Sequence, residues 1–207
     1  ATYQGYDYET LKSFYEKYDM NSLIKSMTTE AAPKKELKLE IVDHMPEITK
    51  DSAVYPSIYD TNYHRSIILG YGINDEQAYF ISYENALKDE LFLAYLKDEN
   101  KKKYGYDIKS AVIGSRWNGI EINGYTFDLS LASYVLEPAV KEELKYVCTH
   151  FDYEGVQYDE EVFGKGAKKH IPEDDILASH IVSKAKAIYE LKDVVTKELK
   201  DKNQYEL

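Results

Sequence analysis

Between residues 164 and 170 the chain reads Gly164-Lys165-Gly166-Ala167-Lys168-Lys169-His170, two glycines that free the backbone among three lysines and a histidine. Such a segment can hold a phosphate or touch a nucleic-acid strand. It lacks the G-x-x-x-x-G-K-[ST] spacing and opens no helix after a strand. A nucleotide cradle is therefore set aside, and Lys165, Lys168 and Lys169 remain as possible DNA contacts or as a solvated loop. Cys148 and His150 could serve as a thiol nucleophile and its base, or join His170 and His180 around zinc. No Cys-x-x-Cys or His-x-x-x-His pair accompanies them, so a buried, inert thiol is expected. Lys101-Lys102-Lys103 suits the C-terminal end of a helix, and Trp117 is expected to anchor packing rather than to stack on a base.

Composition limits what these groups can do. The 207 residues include 26 basic and 37 acidic side chains, a net charge of −11 that repels a phosphate backbone unless cations gather on one face. Autonomous DNA binding gains no support from this. Hydrophobic residues make up 43% of the chain, enough for a folded core, and no apolar run approaches the roughly 18 residues of a membrane span. The single cysteine suits a reducing, cytoplasmic setting. Ala1-Thr2-Tyr3-Gln4 has neither an initiator Met nor a basic, apolar leader, as expected of a piece of a longer chain.

Hydrophobic periodicity indicates the elements that must position such groups. Leu11, Phe14, Tyr15 and Tyr18 form a helical stripe after Asp7, a second turn follows Ser22, and the polar stretch Thr28 to Lys35 marks a linker with a boundary near residue 36. Beyond it, β-like segments at 37–41, 53–59, 66–73 and 78–82 predict a largely meandering sheet, with Pro56 distorting its strand. A helix is expected over 84–97, a buried strand at 104–106, and helices over 108–116, 129–136 and 142–151. The last helix is the longest. Pro172 suits its first turn, and its stripe runs through Leu177, Ile181, Ala185, Ile188, Leu191, Val195 and Leu199. Strands first and helices afterwards predict a mixed α/β or α+β layer.

Two segments carry a family resemblance. Gly119-Ile120-Glu121-Ile122-Asn123-Gly124-Tyr125-Thr126-Phe127-Asp128-Leu129-Ser130-Leu131-Ala132-Ser133-Tyr134-Val135-Leu136 is similar to the middle of the 3′–5′ exonuclease domain of bacterial family A DNA polymerases. Glu161-Val162-Phe163-Gly164-Lys165-Gly166-Ala167-Lys168-Lys169 resembles a segment of the Bacillus-type members, whose proofreading domain is degenerate. The resemblance runs from about Leu37 to Leu207. It gives residues 1–36 as the helical tail of a preceding 5′-nuclease region with its linker, and 37–207 as the exonuclease-like domain. It implies a ribonuclease H-like α/β fold, a mixed five-stranded sheet flanked by helices, with the end at Gln204-Tyr205-Glu206-Leu207 looking like the junction to a polymerase domain.

Active members of the family hydrolyse a 3′-terminal nucleotide with two divalent ions held by four acids, while a tyrosine orients the water. Two hard cations about 3.5–4 Å apart need anionic oxygens to offset their charge. By the resemblance, the Asp-x-Glu motif falls on Tyr55-Pro56-Ser57, so neither carboxylate is present. The Asn-x-x-x-Asp motif falls on Asp107-Ile108-Lys109-Ser110-Ala111, with a methyl group at Ala111. The Tyr-x-x-x-Asp motif falls on His180-Ile181-Val182-Ser183-Lys184, where His180 replaces the tyrosine and Lys184 the last acid. By the resemblance Asp107 sits where the family has Asn, and the nearby acids Asp60 and Asp175 do not stand at the expected positions.

The resemblance therefore implies a catalytically inactive, structural domain of a DNA polymerase of replication and repair, without metal or cofactor. Its partners would be the polymerase and 5′-nuclease domains of the same parent, a nucleotidyltransferase that brings DNA to it in the cytoplasm, with no membrane involved. Two rivals stand beside this expectation. One is an active metal-dependent proofreading exonuclease, and the other a DNA-binding module that steers the primer-template through the lysine loop.

Overall fold

The structure, a computed structural model, describes residues 38–139 and 143–205. The helices expected before residue 36, the linker and the boundary lie outside the described residues. A six-stranded sheet of order β1-β4-β3-β2-β5-β6 organises the chain. Its strands are β1 (Glu40–Val42), β2 (Ser52–Ile58), β3 (Ile68–Asn74), β4 (Ala78–Ser82), β5 (Lys103–Gly105) and β6 (Tyr125–Asp128). β2, β3 and β4 form the expected antiparallel meander. β1 does not continue it, because it crosses to the far edge and pairs parallel with β4. β5 pairs parallel with β2, and β6 parallel with β5.

Two expectations are corrected here. The sheet has six strands rather than five. The extra strand, β6, is four residues long and runs directly into a helix, so its alternation is too brief to separate from the helical pattern that follows. The helix expected over 84–97 is two helices, α1 (Tyr83–Ala86) and α2 (Glu90–Lys97). Asp89 divides them: its Oδ1 accepts from Phe92 N at 3.0 Å as an N-cap, and its Oδ2 accepts from Met45 N at 2.7 Å. Leu91 is consequently left 80% exposed while Phe92, Tyr95 and Leu96 go inward.

Further along are α3 (Ile108–Trp117), α4 (Leu129–Leu136), α5 (Leu144–His150), a short α6 (Asp159–Phe163), a 3₁₀ turn at Gly166–Lys168 and α7 (Asp174–Asp201). α6 and the 3₁₀ turn carry no periodic signal long enough to read from sequence. α7 starts two residues after Pro172, with Glu173 at its N-cap. Every residue of its expected stripe is buried.

Strand alternation sorts the sheet's side chains between two faces. Val54, Tyr71, Ile73, Tyr79 and Ile81 meet Phe92, Tyr95 and Leu96 of α2, together with Ile120 and Ile122. On the opposite face Ala53 and Tyr104 pack with Leu129 and Leu144 and with Ile188 and Leu191 of α7, and Ala78 and Phe80 pack with Leu177, Ile181 and Val182. Gly72 permits this close approach, since a Cβ there would come within 2.9 Å of the Ile181 carbonyl oxygen. α7 thereby lies flat against β3 and β2, which fixes one turn of it opposite Tyr55.

Trp117 does not anchor packing as expected; it is 63% exposed. α3 turns Ala111, Gly114 and Ser115 inward, and a residue two positions past Ser115 points about 200° away from it. Among the described residues, no helix is long and apolar enough to cross a membrane.

Candidate functional site

The end of β2 is bent where the site forms. Pro56 pairs with Tyr71, and the ladder with β3 shifts register between Pro56 and Ile58, the distortion expected of a proline in a strand of the sheet's interior. Beside this bend a cavity of about 160 Å³ opens, lined by Tyr55, Pro56, Ile58, Tyr106, Asp107, Ala111, Glu143, Leu144, Asp159 and Lys184. Three of the five positions singled out in the sequence, Tyr55, Ala111 and Lys184, thus meet at one place. Ser57 does not line the cavity; it is buried in the strand at the shifted register. His180, one helical turn before Lys184, reaches the same place through Asp159.

Asp159, at the start of α6, joins these groups. Its Oδ1 accepts from Lys184 Nζ at 2.5 Å and from His180 Nε2 at 2.6 Å, and the ammonium also donates to the Tyr55 hydroxyl at 3.2 Å. Glu143 Oε1 accepts from the Asp159 backbone amide at 2.9 Å, which ties the entry of α5 to α6. The lysine and histidine side chains are only 4% and 2% exposed, whereas the aspartate is 48% exposed. Water therefore reaches the anion from one side while the cation is enclosed.

Burial and the bonds among these groups pull against one another. It would pull the Asp159 carboxyl up, but the bonds from His180 and Lys184 outweigh it and hold the carboxyl well below the usual carboxylate range. Burial lowers the His180 pKa despite the nearby carboxylate, so its Nε2–H donates as a neutral imidazole, and among the described residues its Nδ1 has no partner. Lys184 would lose charge through burial alone, yet the Tyr55 oxygen and the Asp159 carboxylate keep it above the ordinary lysine range. Burial raises the Tyr55 phenol, with Lys184 offsetting part of the rise. The result is a neutral Tyr55 beside a charged pair.

The neighbouring loops are held in place as well. Asp107, which the resemblance sets at the family's asparagine, adopts a left-handed φ of 49° and caps α3 by accepting from Ser110 N at 3.3 Å. Asp128 Oδ1 accepts from Asp107 N at 3.1 Å and Ser130 N at 2.9 Å, and its Oδ2 accepts from Ile108 N at 2.8 Å. One carboxylate therefore serves the N-termini of both α3 and α4. In the lysine loop, Lys165 pairs with Glu160 at 2.9 Å, and Lys169 donates to Tyr59 O and Asp60 Oδ1, both at 2.7 Å, while lying 4.0 Å over the Tyr59 ring. Two of the three candidate DNA contacts thus already have internal partners. Cys148 is buried, with its thiol pushed up to about 12, as an inert core residue requires.

These donors do not suit a pair of divalent ions. Among the described residues no group of three or more His, Cys, Asp and Glu side chains is arranged to hold a metal. At the cavity Tyr55 and Ala111 offer no anionic oxygen, and an ammonium occupies the carboxylate of Asp159. Sequence reasoning missed Asp159 and Glu143. The available signal was Lys184 itself, because a lysine inside the apolar stripe of a buried helix face requires an acid nearby. Nothing in the sequence says which acid that is.

Comparison with known proteins agrees with the fold. Brucella melitensis NrnC, also solved with bound Mg²⁺, superposes with a TM-score of 0.64 over 82% of this chain and 84% of its own, at 15% identity. Escherichia coli RNase D, an exoribonuclease involved in structured RNA processing, gives 0.52 over 73% and 40% of the two chains, at 13% identity. These likenesses speak for a shared fold. DNA polymerase I of Bacillus subtilis (strain 168) is 34% identical over 99% of this chain, and that of Bacillus caldotenax 34% identical over 98%. The chain spans 24% of the length of each. Residues 54–191 match the family described as the DNA polymerase I, ribonuclease H-like domain. The six-stranded sheet with the long helix across it is the frame of this chain, and the chain belongs to that family.

Proposed function

We propose that this domain has no exonuclease activity and serves as a structural part of a DNA polymerase I. The observation that carries the reading is the Lys184 ammonium, enclosed at the centre of the site and bonded to Asp159 at 2.5 Å. Two-ion hydrolysis of a phosphodiester requires anionic oxygens around both ions. Tyr55, Ser57 and Ala111 supply none, and Lys184 sets a positive charge against any incoming ion. At about 4 Å and an effective dielectric of about 20, a divalent ion and an ammonium repel by roughly 8 kcal/mol. Fold alone does not confer activity, so likeness to nucleases does not weigh against this reading.

In this reading residues 37–207 are the domain and residues 1–36 the end of a preceding 5′-nuclease region. The domain then holds the polymerase and 5′-nuclease parts of one cytoplasmic chain in register, and DNA reaches it only through them. The net charge of −11 and the internal pairing of Lys165 and Lys169 argue against a separate role in binding DNA. The test is incubation of the chain with 5′-labelled single-stranded DNA and Mg²⁺ or Mn²⁺. No 3′ shortening is expected. Metal-dependent release of mononucleotides that survives repurification and is lost on Asp159→Ala would reverse the assignment.

A further inference from the structure

Trp117, the one tryptophan of the chain, leaves most of its ring in water at the last turn of α3. The next residue, Asn118, donates through Nδ2 to the Ser66 carbonyl at 2.9 Å, and its own carbonyl accepts from the Tyr83 hydroxyl at 2.7 Å. The first bond sets the end of α3 beside residues 59–67, which connect β2 to β3. A Cβ on Gly114 would lie 3.6 Å from Tyr63 O, so the two segments stay together over one helical turn.

These two segments hold both arginines of a chain that otherwise uses lysine: among 26 basic residues only Arg65 and Arg116 carry a guanidinium. Both are exposed, and among the described residues neither makes a salt bridge. Glu121, the acid that Arg116 acts on through space, is itself paired with Lys97 at 3.5 Å. Beside the arginines stand Ile67, 51% exposed, and the His64 ring, 4.3 Å from that of Tyr63. Tryptophan, tyrosine and arginine are the residue types that concentrate at the centres of protein interfaces, where lysine is depleted. A guanidinium also grips a carboxylate through two parallel hydrogen bonds, which an ammonium cannot do.

We infer that this face is a docking surface for a carboxylate-bearing protein surface elsewhere in the parent polymerase, with Trp117 as its apolar anchor and Arg65 and Arg116 as its ion-pairing groups. This rests on the structural reading above and gives that reading a contact surface. The polymerases that the chain matches are much longer, since it spans 24% of each, and they offer ample protein to cover the face. A nucleic-acid strand is the poorer occupant. It brings a charge on every nucleotide against a chain of net −11, whereas a protein face brings a few carboxylates set against two guanidiniums.

Hydroxyl-radical footprinting read by mass spectrometry tests this by comparing the 207-residue chain with the whole parent polymerase. Trp117 should be oxidised readily in the chain and lose most of that reactivity in the parent. In the parent, Arg65→Glu with Arg116→Glu should restore its oxidation. Arg65→Lys with Arg116→Lys should restore part of it, because charge remains without the paired geometry. Phe92, buried in the core, checks the fold and should stay unreactive in every form. Should the glutamate pair unfold the parent, the lysine pair decides. Equal oxidation of Trp117 in chain and parent overturns the inference, as does protection that survives the substitutions. Single-stranded DNA added to the chain should leave Trp117 reactive, and protection by it would overturn the protein partner in favour of nucleic acid. Exonuclease activity in the chain would instead defeat the functional reading and leave the footprint unchanged, so the two failures are distinct.

Discussion

Removing the Asp159 carboxylate with Asp159→Ala would leave the Lys184 ammonium enclosed without its anion and the His180 Nε2–H without its acceptor. Deleting one partner of a buried pair costs about 3–5 kcal/mol. Because Asp159 is itself 48% exposed, water can enter from its side, so the lower end, about 3 kcal/mol, applies. For a chain of this size that corresponds to a fall in Tm of about 6–12 °C at pH 7. The pH dependence gives a second readout. A carboxyl held below its usual range in the fold stabilises fully above its unfolded pKa near 4 and loses that contribution as pH falls. The gap between parent and variant should stay level from about pH 7 to pH 5 and shrink below about pH 4. Circular-dichroism melts across that range measure both. A variant melting within about 2 °C of the parent at pH 7, or a gap that widens in acid, would refute the reasoning.

Other consequences can be measured on the same chain. Asp128→Ala removes the acceptor shared by the first turns of α3 and α4 and should cost about 2 kcal/mol, near twice a single N-cap, in urea unfolding; Asp107→Ala should cost about half as much. The Cys148 thiol, buried and pushed up to about 12, should resist alkylation in the native state at pH 8 and react promptly once the chain is unfolded.

Long, periodic segments were legible in the sequence. The α7 stripe keeps helical spacing all the way from Leu177 to Leu199, and β2, β3 and β4 are short, mostly apolar runs buried nearly throughout, so local pattern and packing agree there. Short elements were not legible. β6 and α6 have four and five residues, too few to express a period, and both owe their form to what they pack against. The parallel pairing of β1 with β4 is equally silent, because it depends on where the chain crosses and on no residue in β1. At the site, the resemblance named Tyr55, Ala111, His180 and Lys184, and the structure brings Tyr55, Ala111 and Lys184 to one cavity, with His180 joined to it through Asp159. Asp159 lies 25 residues before Lys184 on an element without periodicity, so its pairing emerged only in three dimensions.

In the proposed reading an ammonium stands where two divalent ions would have to bind. Equilibrium titration of the chain with Mn²⁺, with Mg²⁺ as competitor, addresses it most directly. The parent chain should show no saturable pair of sites. Two ions bound per chain, displaced by Mg²⁺ and lost on Asp107→Ala or Asp159→Ala, would contradict it.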